Sequence, residues 1–325
     1  MTKKIRHPIG YSMNDSLKQT STQKTTWLVP FFCLLAGGAL TGISTNVAKY
    51  AIDVGLTPLG FLFWSITGAA VTLFMIALIR KELPPLNARS LEYYFVAALV
   101  SVAAANLLLF SAIPHVGAGF VALILSLPPL LTYLGALILR IEQFYIVRAL
   151  GVIAALIGAG ALAVHKFSAP DSSVFWILIA LCGPVLLAMG NIYRTLRWPD
   201  NASSGALAPG MLMAAALLLG LFSMMSDFSI AVSLEDWLPL SMIAIQACVF
   251  AGQFLLLFLL QKTGGPVLLS LLGAVGAIIG VPVAIFLQGE QPPEGLFLGA
   301  TLIAIGVALV TWGGVKIAKV KEEVS

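Results

Sequence analysis

Apolar residues run through this sequence in ten segments of membrane-crossing length, and the charges fall almost entirely in the gaps between them. A helix needs about 20 mainly apolar residues to traverse the hydrocarbon of a bilayer. Segments of that kind lie at 28–50, 57–79, 92–113, 116–139, 143–164, 174–196, 206–226, 238–260, 264–287 and 295–315. Prolines punctuate the breaks at Pro58, Pro84, Pro85, Pro114, Pro170, Pro199, Pro209, Pro292 and Pro293. Apolar residues make up 59% of the chain and charged ones 10%, against roughly 25% charged in soluble domains, so a water-soluble enzyme is excluded. Trp27, Trp176, Trp198, Trp237 and Trp312 stand at segment ends, as an interfacial aromatic belt requires, and only Trp64 lies within a segment. Cys33, Cys182 and Cys248 all fall inside apolar runs, which leaves neither a disulfide framework nor a zinc-ligand spacing.

Charge placement gives a direction. With the amino terminus inside, all of the 18 Lys and Arg except Lys49 and Lys166 fall on the inner side, while half of the 14 acidic residues fall outside. Short cytoplasmic loops retain Lys and Arg, so both termini are expected in the cytoplasm of a cell (inner) membrane protein. The basic balance, a net +4, is therefore membrane orientation and not a nucleic-acid-binding face. Residues 1–27 read as a disordered cytoplasmic tail and 316–325 as a second one.

Between the tails the chain repeats itself. At an offset of 148, Glu142-Gln143 meets Glu290-Gln291, Gly151 meets Gly299, and Ile157-Gly158 meets Ile305-Gly306. At an offset of 145, Gly38 meets Gly183, Asn46 meets Asn191 and Lys49 meets Arg194. The polar matches are hard to obtain from apolar composition alone. They divide the chain into a five-helix repeat over 28–165 and a second over 174–315. Five is odd, so the second copy is expected to enter the membrane upside down. The fold class is thus an all-α polytopic membrane protein of ten helices in two inverted repeats, an arrangement that serves alternating access in carriers.

The stretch "HVGAGFVALILSLPPLLTYLGALILRIEQF" with "LGVIAALIGAGAL", and its counterpart "GGPVLLSLLGAVGAIIGVPVAIFLQGEQPP" with "LGATLIAIGVALV", resemble the repeat of the drug/metabolite transporter superfamily, specifically EamA-type permeases. The first segment, "GGALTGISTNVAKYAI", is similar to that family's first helix. The resemblance spans roughly 28–315 and implies a ten-helix carrier of small organic solutes, many members being exporters.

Polar groups within the bilayer carry the remaining information, because a central Lys or Asp costs about 2.5–3.5 kcal/mol to insert. No Asp or Glu lies deep in any segment, so a carboxylate proton relay has no obvious member. Asn46 and Lys49 share a helical face, and Asn191 and Arg194 repeat the pair. Lys49 and Arg194 are candidate gates or charge contacts for a solute bearing a carboxylate, such as an amino acid. The alternative is snorkelling near a helix end, with Lys49 paired to Asp53 four residues on. Asn106 and Gln253 correspond at an offset of 147, and Gln246 shares a face with Gln253. These amides either contact the solute or join helices. Trp64, Phe110, Tyr133 and Tyr193 could supply apolar walls to an organic ligand, or core packing. Pro128 and Pro129 are expected to break the fourth helix and Pro282 the ninth, freeing carbonyls near the midplane. Gly273, Gly276 and Gly280 share a face that reads as close helix packing. Glu142 and Glu290 read as caps of the helices that follow them.

The expected function is a secondary transporter, exporter or exchanger, of a small organic metabolite, with lipid as its other partner. No cofactor or metal is expected, and the sequence does not give the oligomeric state. A channel or a structural membrane protein is the alternative. An intramembrane enzyme is disfavoured because His7, His115 and His165 lie outside or at the ends of the segments, and no nucleophile elbow or HExxH motif occurs.

Overall fold

A computed structural model describes residues 13–140, 143–167, 174–200, 202–225, 229–232, 236–263, 269, 271–292 and 295–324, with backbone alone for 13–28, 162–167, 311 and 313–324. The helices in order are α1 (Met13–Asp53), α2 (Pro58–Arg80), α3 (Ala88–Ala98), α4 (Ala105–Val116), α5 (Ala118–Ile124), α6 (Pro128–Ile138), α7 (Ile146–Phe167), α8 (Val174–Leu196), α9 (Ser204–Phe222), α10 (Trp237–Thr263), α11 (Leu272–Phe286) and α12 (Leu296–Val324). A π-helical turn, Leu99–Ala104, joins α3 to α4 into one continuous span, and α5 and α6 together make another. The result is an all-α polytopic membrane protein. Seven of its described spans are long and apolar enough to cross a bilayer, and Ile146–Ala161, Leu272–Phe286 and Leu296–Val310 are shorter apolar helices.

Local chemistry sets the boundaries. Thr57 caps α2 by accepting from Gly60 N at 3.1 Å, with Pro58 at the first helical position, where its missing N–H costs nothing. Asn87 caps α3 through Ser90 N at 2.8 Å, and Ser203 caps α9 through Ala206 N at 3.1 Å. Gly117, at φ +88°, ends α4 and turns the chain straight into α5, a backbone state that a side chain would strain. The fourth span breaks at Leu125–Leu127, and α6 restarts on Pro128 and Pro129. Pro282, by contrast, is carried inside α11 without ending it. Neighbouring helices can accommodate a proline there, so the expected break at Pro282 is not present.

Contacts between connections fix the alternation of sides. On the face where α1 has its amino-terminal end, here the proximal face, Arg89 pairs with Asp200 at 2.6 Å and Ser203 donates to Glu82 at 2.9 Å. On the opposite, distal face, Thr57 donates to the Ser229 carbonyl at 3.0 Å and Trp64 Nε1 to that of Ile230 at 2.9 Å. The helices pack as matched pairs: α7 on α12, α2 on α9, α5 on α11, α1 on α11 and α10, and α8 on α4 and α6. Small residues permit the closest approaches. A Cβ at Gly42 would collide with the Gly276 carbonyl, one at Gly280 would meet Ala122 at 2.8 Å, and one at Gly306 would strike the Gly151 carbonyl. Without a hydrophobic driving force between helices in lipid, such backbone-to-backbone packing supplies much of the association energy.

Candidate functional site: a polar cavity between the helices

The break in the fourth span meets the start of α11. A Cβ at Gly273 would overlap the Leu125 carbonyl, so only glycine lets the first turn of α11 touch the broken backbone of the fourth span. Around that contact lies a cavity of about 100 Å³. Its polar lining comes from Thr41, Ser44 and Thr45 on α1, Ser101 on the π turn, Asn106 on α4, Asn191 and Arg194 on α8, and Gln253 on α10. Phe110, Phe254 and Pro128 contribute apolar wall. The lining runs from the middle of α1 and α4 to Arg194 at the proximal end of α8, so the cavity is displaced toward the proximal face.

Each polar side chain is positioned locally. Asn106 donates to the Val102 carbonyl at 2.8 Å, an oxygen of the π turn that also accepts the Ala105 N–H. Gln253 Nε2 donates to Thr41 Oγ1 at 3.1 Å, leaving its amide oxygen without a partner. Arg194 is 2% exposed; its Nη2 donates to Asn191 Oδ1 at 2.6 Å and its Nε has no partner. One turn earlier Gly190 lies so close to Ser101 that a Cβ there would overlap its hydroxyl, which holds α8 against the π turn. The sequence allowed Arg194 to snorkel to the interface; the structure instead buries it in the cavity wall.

A cluster of ion pairs and hydrogen bonds lies on the distal side. Glu290 accepts from Ala118 N at 2.7 Å and from Gly119 N at 2.9 Å, thereby capping α5. The expected capping of its own following helix is thus corrected: the carboxylate serves a helix start, but that of the fourth span. The physical reason is the same, since exposed N–H groups and the helix dipole attract an anion. Lys49 lies 3.4 Å from Asp53 and 3.8 Å from Glu290. Gln288 Nε2 donates to the Asn46 carbonyl at 2.8 Å, and Asn46 Nδ2 donates to the carbonyls of Gly42 at 2.9 Å and Gly280 at 3.0 Å. Below this lattice, Phe110 stacks on Phe250 with ring centroids 6.2 Å apart.

Of the residues singled out from sequence, Asn106, Phe110, Asn191, Gln253, Arg194 and Pro128 come together in the cavity wall. The others do not. Asn46 joins α1 to α11, and Lys49 is held in the distal ion pairs. Gln246 is fully buried and donates to Ser44 Oγ at 2.5 Å, one shell behind the cavity. Trp64 is 42% exposed and tethers the segment around Ile230. Tyr133 lies beneath the Arg148 guanidinium, 4.0 Å from its ring centroid, and accepts from Tyr145 N at 3.0 Å. Tyr193 stacks on Tyr93, with its hydroxyl 3.5 Å from Glu92. Pro129 is buried beside Pro128, whereas Pro282 lines a separate apolar groove between α11 and α12. Glu142, Pro170 and Pro293 lie outside the described residues. Sequence reasoning missed Thr41, Ser44, Thr45 and Ser101, whose hydroxyls sit among small residues and look like packing. For Thr41, Ser44 and Thr45 the available signal was their helical spacing, i, i+3, i+4 along α1.

The family model of the EamA-like transporter family matches residues 28–164. A solved structure described only as "Crystal structure of protein" is similar over 90% of this chain and 99% of that one, at 17% identity and a TM-score of 0.59, which shows a shared fold. No curated protein matches the chain. Residues 28–164 are therefore a domain of the EamA-like transporter family, in the drug/metabolite transporter superfamily, a family of membrane transporters and not of enzymes, within a multi-pass membrane chain.

Proposed function

We propose that this chain is a secondary carrier, an exporter or exchanger, that moves a small organic metabolite by alternating access between two inverted five-helix repeats, 28–165 and 174–315. The observation that carries the reading is the asymmetry of the cavity: a polar chamber displaced to the proximal face, with an ion-pair and amide lattice on the distal side. A carrier needs a solute site that is blocked on one side at a time.

Helix pairing supports the repeat. Exchanging the first five spans with the last five turns the α1–α11 contact into the α8–α6 contact and the α1–α10 contact into the α8–α4 contact, both of which occur. The α2–α9, α5–α11 and α7–α12 contacts map onto themselves. The break at Leu125–Leu127 in the fourth span packs on the start of α11, in the ninth, which is the counterpart of the fourth in that scheme. The excess of Lys and Arg on the proximal side supports placing that face, with both termini, in the cytoplasm of a cell (inner) membrane. In this reading the structure is loaded from the cytoplasm, and Asn106, Asn191, Gln253 and Arg194 are the solute contacts.

Counterflow in proteoliposomes tests the proposal. A carrier shows saturable uptake that a preloaded trans solute accelerates. Flux that neither saturates nor responds to trans solute belongs to a channel, and absence of any flux to a non-transporting protein.

A further inference from the structure

We propose that the cavity is built for an organic monoanion, its carboxylate seated on the Arg194 guanidinium, and that zwitterions, cations and dianions are poor ligands. Access to the cavity rests on the carrier reading; binding itself rests on the geometry around Arg194.

A guanidinium presents five N–H donors and cannot lose its charge in a protein. Asn191 takes one of the five, and the Nε–H is buried with no acceptor. Among the described residues the ion pairs are Lys49 with Asp53, Lys49 with Glu290, and Arg89 with Asp200, and none includes Arg194. A buried cation left in that condition is costly, and the cost falls when an anion enters its open donor fork. Asn191 fixes one edge of the guanidinium, and the Ser101–Gly190 contact fixes the helix that carries it. The donor fork is thus held in place before a ligand arrives.

The rest of the lining sets the charge class. Thr41, Ser44, Thr45, Ser101, Asn106, Asn191 and Gln253 are neutral, and among the described residues Arg194 is the only charged side chain in the wall. One negative charge balances the site. A second, as on a dicarboxylate or a phosphate dianion, would be desolvated with no partner. The ammonium of an amino acid would find neutral oxygens but no carboxylate, so it would be buried at a net cost. Phe110, Phe254 and Leu257 offer apolar surface to a short carbon skeleton, and the small cavity volume limits its size. The sequence tilt toward an amino acid is thereby narrowed to the corresponding acid without its amine.

The test uses the purified full-length chain and matched solutes on one short skeleton: butyrate, butyramide, butylammonium, 2-aminobutyrate and succinate. Ligand-induced thermal stabilisation reads binding, because a ligand of the native state raises the melting temperature by mass action. Butyrate should stabilise at concentrations where the other four do not. Arg194→Gln should weaken its apparent affinity about tenfold to a hundredfold, the loss expected for a charge-assisted hydrogen-bonded pair. Arg194→Lys, which keeps the charge but not the planar fork, should retain part of the stabilisation and guards against a folding defect in the glutamine variant. Equal stabilisation by the amine, the zwitterion or the amide, no stabilisation by butyrate, or undiminished butyrate binding in Arg194→Gln overturns the assignment. Counterflow with the same five solutes separates the two readings. Counterflow of the zwitterion or the cation alone sinks the anion site and leaves the carrier standing. Butyrate binding without counterflow of any solute leaves the anion site standing and sinks the carrier.

Discussion

Replacing Glu290 by Gln should open the distal face. In the native protein the carboxylate receives two backbone N–H groups, Ala118 N at 2.7 Å and Gly119 N at 2.9 Å. Hydrogen bonds to a charged group are worth about 1.5–3 kcal/mol each. Glutamine keeps one acceptor oxygen but turns an NH₂ toward the second amide, so about 2 kcal/mol is lost and one N–H is left unpaired. The partly exposed Lys49 contact at 3.8 Å adds little, since such pairs contribute about 0–1 kcal/mol. If Glu290 seals only the state described here, the whole loss biases the conformational equilibrium. A change of about 2 kcal/mol then shifts the two populations by roughly thirtyfold toward the distal-open form. Pulsed electron–electron distance measurements between spin labels at Val54 and Leu287, in a background without Cys33, Cys182 and Cys248, read that shift as a second, longer distance. The control Lys49→Gln should leave the distribution close to that of the parent. An unchanged distribution in Glu290→Gln, accompanied by a lowered melting temperature, would show that the carboxylate stabilises every conformation alike and that the latch reasoning is wrong.

The remaining predictions separate packing from solute contact. Asn46→Ala removes an amide that joins α1 to α11 and should cost about 0.6–1.7 kcal/mol of stability, read as earlier unfolding in a denaturant series, without a change in KM beyond the loss of protein. Gln253→Ala, in the cavity wall, should do the reverse, raising KM while the unfolding midpoint stays near the parent's. Gly42→Ala forces a methyl against the Gly276 backbone and should destabilise by about 1–3 kcal/mol, whereas Gly160→Ala, which meets nothing within 4 Å, should be neutral or stabilising by up to about 1 kcal/mol. Trp64→Phe deletes the bond to the Ile230 carbonyl and should speed proteolytic cleavage of the segment around Ser229. An unchanged cleavage rate there means that the indole does not hold the segment.

Seven spans and three shorter apolar helices were legible because lipid leaves the backbone few options: apolar length gives the helices, and Pro, Thr57, Asn87 and Ser203 mark starts. The break at Pro128 and Pro129 was legible for the same reason, since two successive prolines remove two donors. Pro282 has the same chemistry but sits within a helix packed by glycine against α1, and context decided the outcome. The cavity was half legible. Large amides draw attention wherever they occur, yet Asn46 and Asn106, alike on paper, point to a glycine-lined helix contact and to the cavity wall respectively. Depth and face separate them, and those depend on tilts that no periodicity carries. Arg194 did leave a trace. Its counterpart Lys49 has Asp53 one turn further on, whereas four residues beyond Arg194 stands Trp198. The missing local acid sets Arg194 apart from Lys49, but a cation snorkelling at a span end gives the same pattern, and burial in the cavity wall is what separates the two. The Glu290 cap was right in kind and wrong in partner, because the helix start nearest in sequence was not the nearest in space.

Side-specific thiol labelling of a single cysteine at Leu257, in the cavity wall, addresses the central claim most directly. With an impermeant reagent, the account predicts modification from the proximal face only, protection by transported solute, and appearance of distal labelling when Glu290→Gln is added. Simultaneous modification from both faces of the unaltered seal, or none from either face under any condition, would contradict a chamber that opens to one side at a time.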